Sequence, residues 1–225
     1  MGQRQSKGKC NFCNSIISKR SITKHLQSCG KRKTDIETSS GNSKSKKAMF
    51  FHLLIEGRDL PMYWMHLEMP GSGTLTKLDR FLRDAWLECC GHLSAFHILG
   101  ETYTSSPDRE YGDRGMDVAI EKILTPGMRF FYEYDFGSTT ELAMNVLSVR
   151  EGLYAGSAIK ILAQNDAPEY ACIVCGKPAT DICAECSYDD GGWLCEECAP
   201  EHECGEDMLL PVVNSPRTGV CGYVG

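Results

Sequence analysis

No stretch of this 225-residue chain approaches the eighteen or more consecutive apolar residues that a membrane-spanning helix needs, and the opening MGQRQSKGKC lacks the apolar run of a secretory signal. The expectation is a cytoplasmic protein with no membrane segment, although Met1-Gly2 with Ser6 and nearby lysines also fits the loose myristoylation pattern. Phosphate-binding loops are missing too. Gly71-Ser72-Gly73 is not followed by Gly-Lys-Ser/Thr and reads as a turn before a helix; Asp135-Phe136-Gly137 has no Gly-rich loop or His-Arg-Asp loop to make it a kinase motif. No unit repeats at a solenoid period. Basic residues are almost absent from one end: residues 168–225 carry Lys177 and Arg217 against eleven acids, whereas residues 1–47 carry twelve Lys/Arg against Asp35 and Glu37. The two ends therefore cannot share a polyanionic partner, because only the first can neutralise phosphates.

Cysteine is what the chain has in excess. Three Cys-x-x-Cys pairs, Cys172/Cys175, Cys183/Cys186 and Cys195/Cys198, fall within twenty-seven residues and are followed by His202, Cys204 and Cys221. In a reducing compartment such clustered thiols hold metal rather than form disulfides. The order suits a cross-braced pair of zinc ions, the first and third pairs sharing one, the second pair joining His202 and Cys204 on the other. The spacing is similar to B-box and RING-like modules, which are mostly protein-interaction folds. Nine donors compete for eight places: Cys221 can replace Cys204 or His202, or remain a free thiol. The ligands fill every place, so the sites read as structural rather than catalytic. Metal is needed because residues 166–225 contain few large apolar side chains and cannot build a sufficient core.

A further pair, Cys10/Cys13, is completed by His25 and Cys29 in the pattern C-x2-C-x11-H-x3-C. Spacing of four puts His25 and Cys29 on one face of a short helix beginning near Ser21, with Ile22 and Leu26 as its small core. The element, residues 1–30, is similar to single C2HC fingers, and three Zn2+ ions are expected in all. Lys19, Arg20, Lys24, Lys31, Arg32 and Lys33 surround it. Two readings stay open: weak, nonspecific phosphate contact, or a solvated basic face on a small interaction finger. Residues 31–47, Ser/Thr/Lys-rich with Ile36 as the single large aliphatic residue, read as a flexible basic linker.

Residues 48–165 carry the apolar pattern of a core. FFHLLIEG (50–57) and MYWMHLEM (62–69) read as a hairpin; Leu75, Leu78, Phe81, Leu82, Ala85, Trp86 and Cys89 form a helical stripe capped by Thr74 or Thr76 and ended by Gly91. HLSAFHIL (92–99) reads as a third strand, 104–115 as a loop, and 116–124 as a short helix. In MRFFYEYDF, Phe130, Tyr132, Tyr134 and Phe136 alternate with the remaining residues at the period of a half-buried strand; ELAMNVLSV and SAIKILAQ supply two more. His52 and His66 with Glu56, Glu68 and Glu133 could share a sheet face, which sequence cannot decide without register. Cys89-Cys90 reads as a buried thiol pair, and His92 and His97 as structural or surface histidines.

PMYWMHLEMP, TLTKLDRFLRDAW, GHLSAFHI and above all PGMRFFYEYDFGS resemble the plasmid pRiA4b ORF-3-like family, whose members include passenger proteins of insertion elements. The resemblance spans about 49–164 and is most specific at Tyr134-Asp135-Phe136-Gly137. It implies an α+β domain of β-grasp-like layout with no assigned activity. Ser138-Thr139-Thr140 departs from the acid and aromatic that often follow the family's glycine, and no recombinase serine-and-arginine arrangement is present. The expected protein is thus α+β, with a β-grasp-like central domain, an N-terminal C2HC finger and a C-terminal cross-braced zinc module. It is expected to be a non-enzymatic, mobile-element-associated adaptor or regulatory protein that binds a protein through its C-terminal module and touches nucleic acid or an acidic partner through residues 1–47. The competing class is an enzyme with a pocket on the central domain near Tyr134 and Asp135.

Overall fold

The computed structural model describes residues 6–39, 46–154, 159–189 and 191–225, and its architecture is mixed α+β with one large sheet and few helices. The elements run β1 (Lys7–Cys10), β2 (Ile16–Ser18), α1 (Lys19–Ser28), α2 (Gly30–Ser39), β3 (Lys46–Gly57), β4 (Trp64–Pro70), α3 (Leu75–Leu82), β5 (Ser94–Ile98), β6 (Glu101–Thr104), β7 (Arg114–Gly115), β8 (Arg129–Tyr134), β9 (Thr140–Tyr154) and β10 (Lys160–Asn165). Their strands form a single ten-stranded sheet in the order β2-β1-β10-β4-β3-β9-β8-β5-β6-β7, antiparallel except for β6 beside β7. Three short strands, β11 (Asp181–Cys183), β12 (Trp193–Leu194) and β13 (Leu209–Pro211), make a second sheet with β11 at its centre. No helix among the described residues is long and apolar enough to cross a membrane.

The β3–β4 hairpin sets the two faces. Phe51 lies opposite Met69, Leu53 opposite Leu67 and Ile55 opposite Met65, so these side chains share one face. On that face they pack with Leu75, Leu78 and Leu82 of α3, with Trp86, and with Phe96, Phe130, Tyr132, Tyr134, Leu142 and Met144. Thr74 caps α3 through its Oγ1, 3.4 Å from the Lys77 N–H, and the helix continues into a π turn, Arg83–Leu87, that carries Trp86 into the core.

The opposite face is covered as well, which is why β4 is buried along its whole length. Trp64, Leu162, Ala163 and Leu54 pack there against Ile22 and Leu26 of α1 and against Cys10 and Cys29. β1 adds directly to β10, with Gly8 opposite Asn165 and Cys10 opposite Ala163. Gly8 is required by that approach, since a Cβ would stand 2.7 Å from the Trp64 ring and collide with the Gln164 carbonyl.

Two segments differ from their sequence reading. Of the region read as a flexible linker, Gly30–Ser39 is helix α2, while 40–45 lies outside the described residues, as do Met1 and Gly2. The helix docks electrostatically. Arg32 Nη2 donates to Glu68 at 2.9 Å, Glu68 also receives Arg150 Nε at 2.9 Å, and Lys160 Nζ donates to Asp35 at 2.6 Å. Burial pushes the Glu68 carboxyl up, but the two guanidiniums outweigh it and hold it below the ordinary carboxylate value. In 116–124, read as a helix, only Ile120–Lys122 forms a 3-10 turn. The N–H groups of Leu75 and Thr76, left unpaired at the start of α3, donate to the carbonyls of Val118 and Met116 and hold the segment extended.

Candidate metal centres

The described residues bring every one of the thirteen cysteines, with His25, His92 and His202, into one of four quartets whose donor atoms all lie within 4.8 Å of one another. None of the cysteines is in a disulfide. A tetrahedral zinc site with Zn–S near 2.3 Å has donor–donor edges of about 3.5–3.8 Å. The quartets approach that geometry: Cys13 Sγ to His25 Nε2 is 3.3 Å, Cys175 Sγ to Cys195 Sγ 3.5 Å, Cys186 Sγ to His202 Nε2 3.5 Å and to Cys204 Sγ 3.6 Å.

The first quartet, Cys10, Cys13, His25 and Cys29, is assembled by a turn and a helix. Cys10 ends β1, and the chain reverses with Asn14 N–H donating to the Cys10 carbonyl and Cys10 N–H donating to that of Ser15. α1 starts at Lys19, two residues earlier than its sequence pattern suggests, and places His25 in its last turn with Cys29 just beyond. The Ser15 hydroxyl and N–H beside the Cys13 sulfur bring that thiol down to about 6. Of the basic residues around this element, Lys19 pairs with Glu56 and Arg32 with Glu68, so both are used internally; Arg20, Lys24, Lys31 and Lys33 are exposed.

Two quartets interleave in the C-terminal module: Cys172, Cys175, Cys195 and Cys198 in one, and Cys183, Cys186, His202 and Cys204 in the other. Each Cys-x-x-Cys is a tight turn, with Gly176 N–H donating to the Cys172 carbonyl and Cys198 N–H to that of Cys195. Burial raises the Cys172 thiol, but the N–H groups of Cys175, Cys195 and Val174 outweigh it and bring it down to about 6; in the same way Cys183 falls to about 7. Neighbouring sulfurs do the opposite, Cys195 and Cys175 pushing Cys198 up to about 12 and Cys204 and Cys183 pushing Cys186 up to about 12. The backbone thus favours a thiolate at Cys172 and at Cys183 while neighbouring sulfurs oppose one at Cys198 and Cys186, and a dication would remove that opposition. The apolar core beside them is small: Leu194 and Ala199 with Leu209.

The fourth quartet, Cys89, Cys90, His92 and Cys221, is where sequence reading missed the donors. Cys89 is half-buried and Cys90 exposed, so they are not a buried thiol pair, and Cys221 competes with neither His202 nor Cys204. Its Sγ stands 3.3 Å from His92 Nε2. The available signal was three donors within four residues, Cys-Cys-Gly-His, together with one unassigned cysteine. The other polar groups separate. The register puts His52, His66, Glu56, Glu68 and Glu133 on one face of the sheet, but they do not converge: His52 and His66 meet at 2.9 Å beneath the finger, Glu56 pairs with Lys19, and Glu133, on β8, faces His97 at 3.3 Å.

Asp135 and Tyr134 are engaged. Asp135, at φ 65°, caps its own turn, Oδ1 accepting from Gly137 N–H at 3.0 Å and Ser138 N–H at 3.3 Å, while Oδ2 accepts from Arg217 at 2.6 Å. The Tyr134 hydroxyl donates to Glu88 at 2.9 Å, and its ring lies under the guanidiniums of Arg83 and Arg217.

No protein-family model matches the chain, and no curated protein does. Among solved structures it is similar to the crystal structure of a protein of unknown function, MM3350 from Methanosarcina mazei Go1, at 15% identity over 52% of this chain and 70% of that one, with a TM-score of 0.44. A likeness of that size leaves fold and function to be argued from the residues of this chain.

Proposed function

We propose that the chain is a zinc-dependent, non-enzymatic adaptor whose acidic C-terminal module binds a protein and whose basic finger makes weak contact with nucleic acid. Three Zn2+ ions serve it, held by Cys10, Cys13, His25 and Cys29, by Cys172, Cys175, Cys195 and Cys198, and by Cys183, Cys186, His202 and Cys204. The observation that carries this reading is the C-terminal module itself. Two interleaved quartets stand where a core would be, and beside them Ile173 and Val174, in the first Cys-x-x-Cys turn, are 56% and 70% exposed. Apolar side chains on a metal-stiffened turn, set in an acidic surface, suit a partner presenting apolar and basic groups.

The competing enzyme reading loses support from the state of Asp135, whose carboxylate is occupied by Arg217 and two backbone N–H groups at 5% exposure. Within this reading, the resemblance of 49–164 to the pRiA4b ORF-3-like family supports a β-grasp-like layout of the central region and a mobile-element setting. Pull-down with the intact protein, with and without nuclease, tests the function. A protein partner that survives nuclease and is lost in an Ile173→Ser/Val174→Ser variant is the expected result; capture of nucleic acid alone, or turnover of a small molecule at Asp135, would overturn it.

A further inference from the structure

We propose that Cys89, Cys90, His92 and Cys221 form a fourth Zn2+ site, a clasp that fastens the C-terminal segment 212–223 to the central sheet. The inference rests on the zinc reading of the other three quartets and extends it to a site assembled from two distant parts of the chain, Cys90 and Cys221 being 131 residues apart.

The donor set is chemically complete. Three thiols and one imidazole nitrogen within 4.8 Å of one another are the ligands of a Cys3His zinc site. The surroundings are those a bound imidazole and thiolates need. His92 turns Nε2 toward Cys221 and Nδ1 toward Asp135 Oδ1, 3.5 Å away, so the carboxylate can hold the proton on Nδ1 and leave Nε2 free to ligate. Its ring is fixed edge-on against Tyr134, centroids 5.8 Å apart. Arg217, fully buried, donates one Nη2 hydrogen bond to Asp135 at 2.6 Å and another to Cys89 Sγ at 3.4 Å. Three thiolates around Zn2+ leave one negative charge, and this guanidinium lies beside it. Gly91, at φ 75°, turns the chain between Cys90 and His92; Cys221, at φ 49° between Gly219 and Gly222, turns the segment's sulfur inward.

The segment is placed for this by contacts that need no metal. Ser215 Oγ donates to the Trp86 carbonyl at 2.6 Å, Asn165 Nδ2 donates to Asn214 Oδ1 while Asn214 Nδ2 donates to the Asn165 backbone carbonyl, and Tyr223 is buried. The ion would complete a dock already made. The fourth quartet differs from the other three in having no fully buried donor, so its ion is the one most open to a competing chelator.

Full-length protein saturated with Zn2+ and freed of excess metal should carry four ions per chain; Cys221→Ser and Cys90→Ser should each carry three, and Cys13→Ser/Cys221→Ser two. A weak chelator should take one ion from the wild type before any other and none of comparable lability from Cys221→Ser. Amide exchange across 215–222 should quicken at least tenfold in both single variants. Should Cys221→Ser fail to fold, Cys90→Ser, at an exposed position, carries the same expectations. Three ions in the wild type with two in Cys13→Ser would overturn the clasp and leave the other sites standing, as would a disulfide among Cys89, Cys90 and Cys221. A wild type with no bound zinc would overturn the zinc reading as a whole.

Discussion

The guanidinium of Arg217 lies 2.6 Å from the carboxylate of Asp135 with no solvent exposure of its own, although the two residues are 82 positions apart. Burial pushes the Asp135 carboxyl up, and the hydrogen bonds from Arg217, Gly137 and Ser138 more than reverse that, holding it below the ordinary carboxylate value. Arg217 also donates to the Ser138 carbonyl and to Thr140 Oγ1, so one side chain closes the turn between β8 and β9. The Tyr-Asp-Phe-Gly run of the sequence is thus a receptor for the C-terminal segment.

Removing one member of such a pair leaves a buried charge uncompensated, at a cost of about 3–5 kcal/mol. Arg217→Met should destabilise the protein by about that amount, and Arg217→Lys should recover little, because an ammonium cannot serve Asp135, Thr140 and Ser138 from one planar fork. Adding Asp135→Asn to Arg217→Met should restore part of the loss. Urea denaturation of the four proteins measures this, and a loss below 1 kcal/mol in Arg217→Met would show that the pair is not what holds the segment.

What was legible in the chain was what is local. Cys-x-x-Cys turns declare themselves because both donors come from one turn, and the alternation of Phe130, Tyr132 and Tyr134 gives β8 its buried face directly, although Phe136, the fourth of that series, lies beyond the strand in the Asp135 turn and is exposed. Cys89, Cys90, His92 and Cys221 were not legible, because adjacent cysteines look like core thiols and Cys221 arrives from the other end of the chain. α2 was hidden for a different reason. Its composition lacks an apolar stripe, and what docks it, Arg32 on Glu68 and Asp35 on Lys160, depends on where β4 and β10 lie. Trp64, His66 and Glu68 alternate with apolar residues as a solvent-facing set would, and only the finger packed over them makes them interior.

Because the finger covers Trp64, its metal should matter to the middle of the protein. Composition alone predicts that a chelator unfolds the C-terminal module and leaves residues 48–165 untouched. With Ile22 and Leu26 packed on Trp64 and Leu162, losing the first ion should uncover that face. Cys13→Ser should bind one zinc fewer, shift tryptophan emission to the red and lower the unfolding temperature of the central sheet by several degrees. A variant that loses the ion with unchanged emission and melting would show that the finger docks without its metal.

His52 and His66 give the fold an acid sensitivity. Burial, with Arg32 nearby, lowers His52 to about 4; burial, with His52, Arg32 and Lys19, lowers His66 to about 3. Unfolded, both titrate near 6.5. Below that pH the unfolded chain binds more protons, so the stability contributed by the neutral pair is complete above pH 6.5 and is lost as pH falls toward 4 and then 3. The slope is at most about 1.4 kcal/mol per pH unit for each histidine. His52→Gln/His66→Gln removes this dependence while protonation of the thiolates continues in both proteins, so the difference between them isolates the pair. If the two stabilities run parallel from pH 7.5 to 5, the histidines are not buried as neutral groups.

The basic finger offers phosphates fewer charges than its sequence carries. Lys19 and Arg32 are held by Glu56 and Glu68, which leaves Arg20, Lys24, Lys31 and Lys33 of the surrounding six to meet phosphates. Each phosphate contact contributes about −0.9 to the slope of log affinity against log salt on duplex DNA, so four contacts give a slope of about −4. The full chain, at net charge −6, should bind duplex and single strand weakly and with little sequence preference, more weakly than its own residues 1–47. Replacing the four exposed residues by Gln should abolish binding and leave zinc content unchanged, whereas Lys19→Gln should alter stability more than affinity. Salt titrations on the full chain and on residues 1–47 decide it: binding that survives the fourfold replacement, or that maps to residues 168–225, would put the nucleic-acid contact at the wrong end of the molecule.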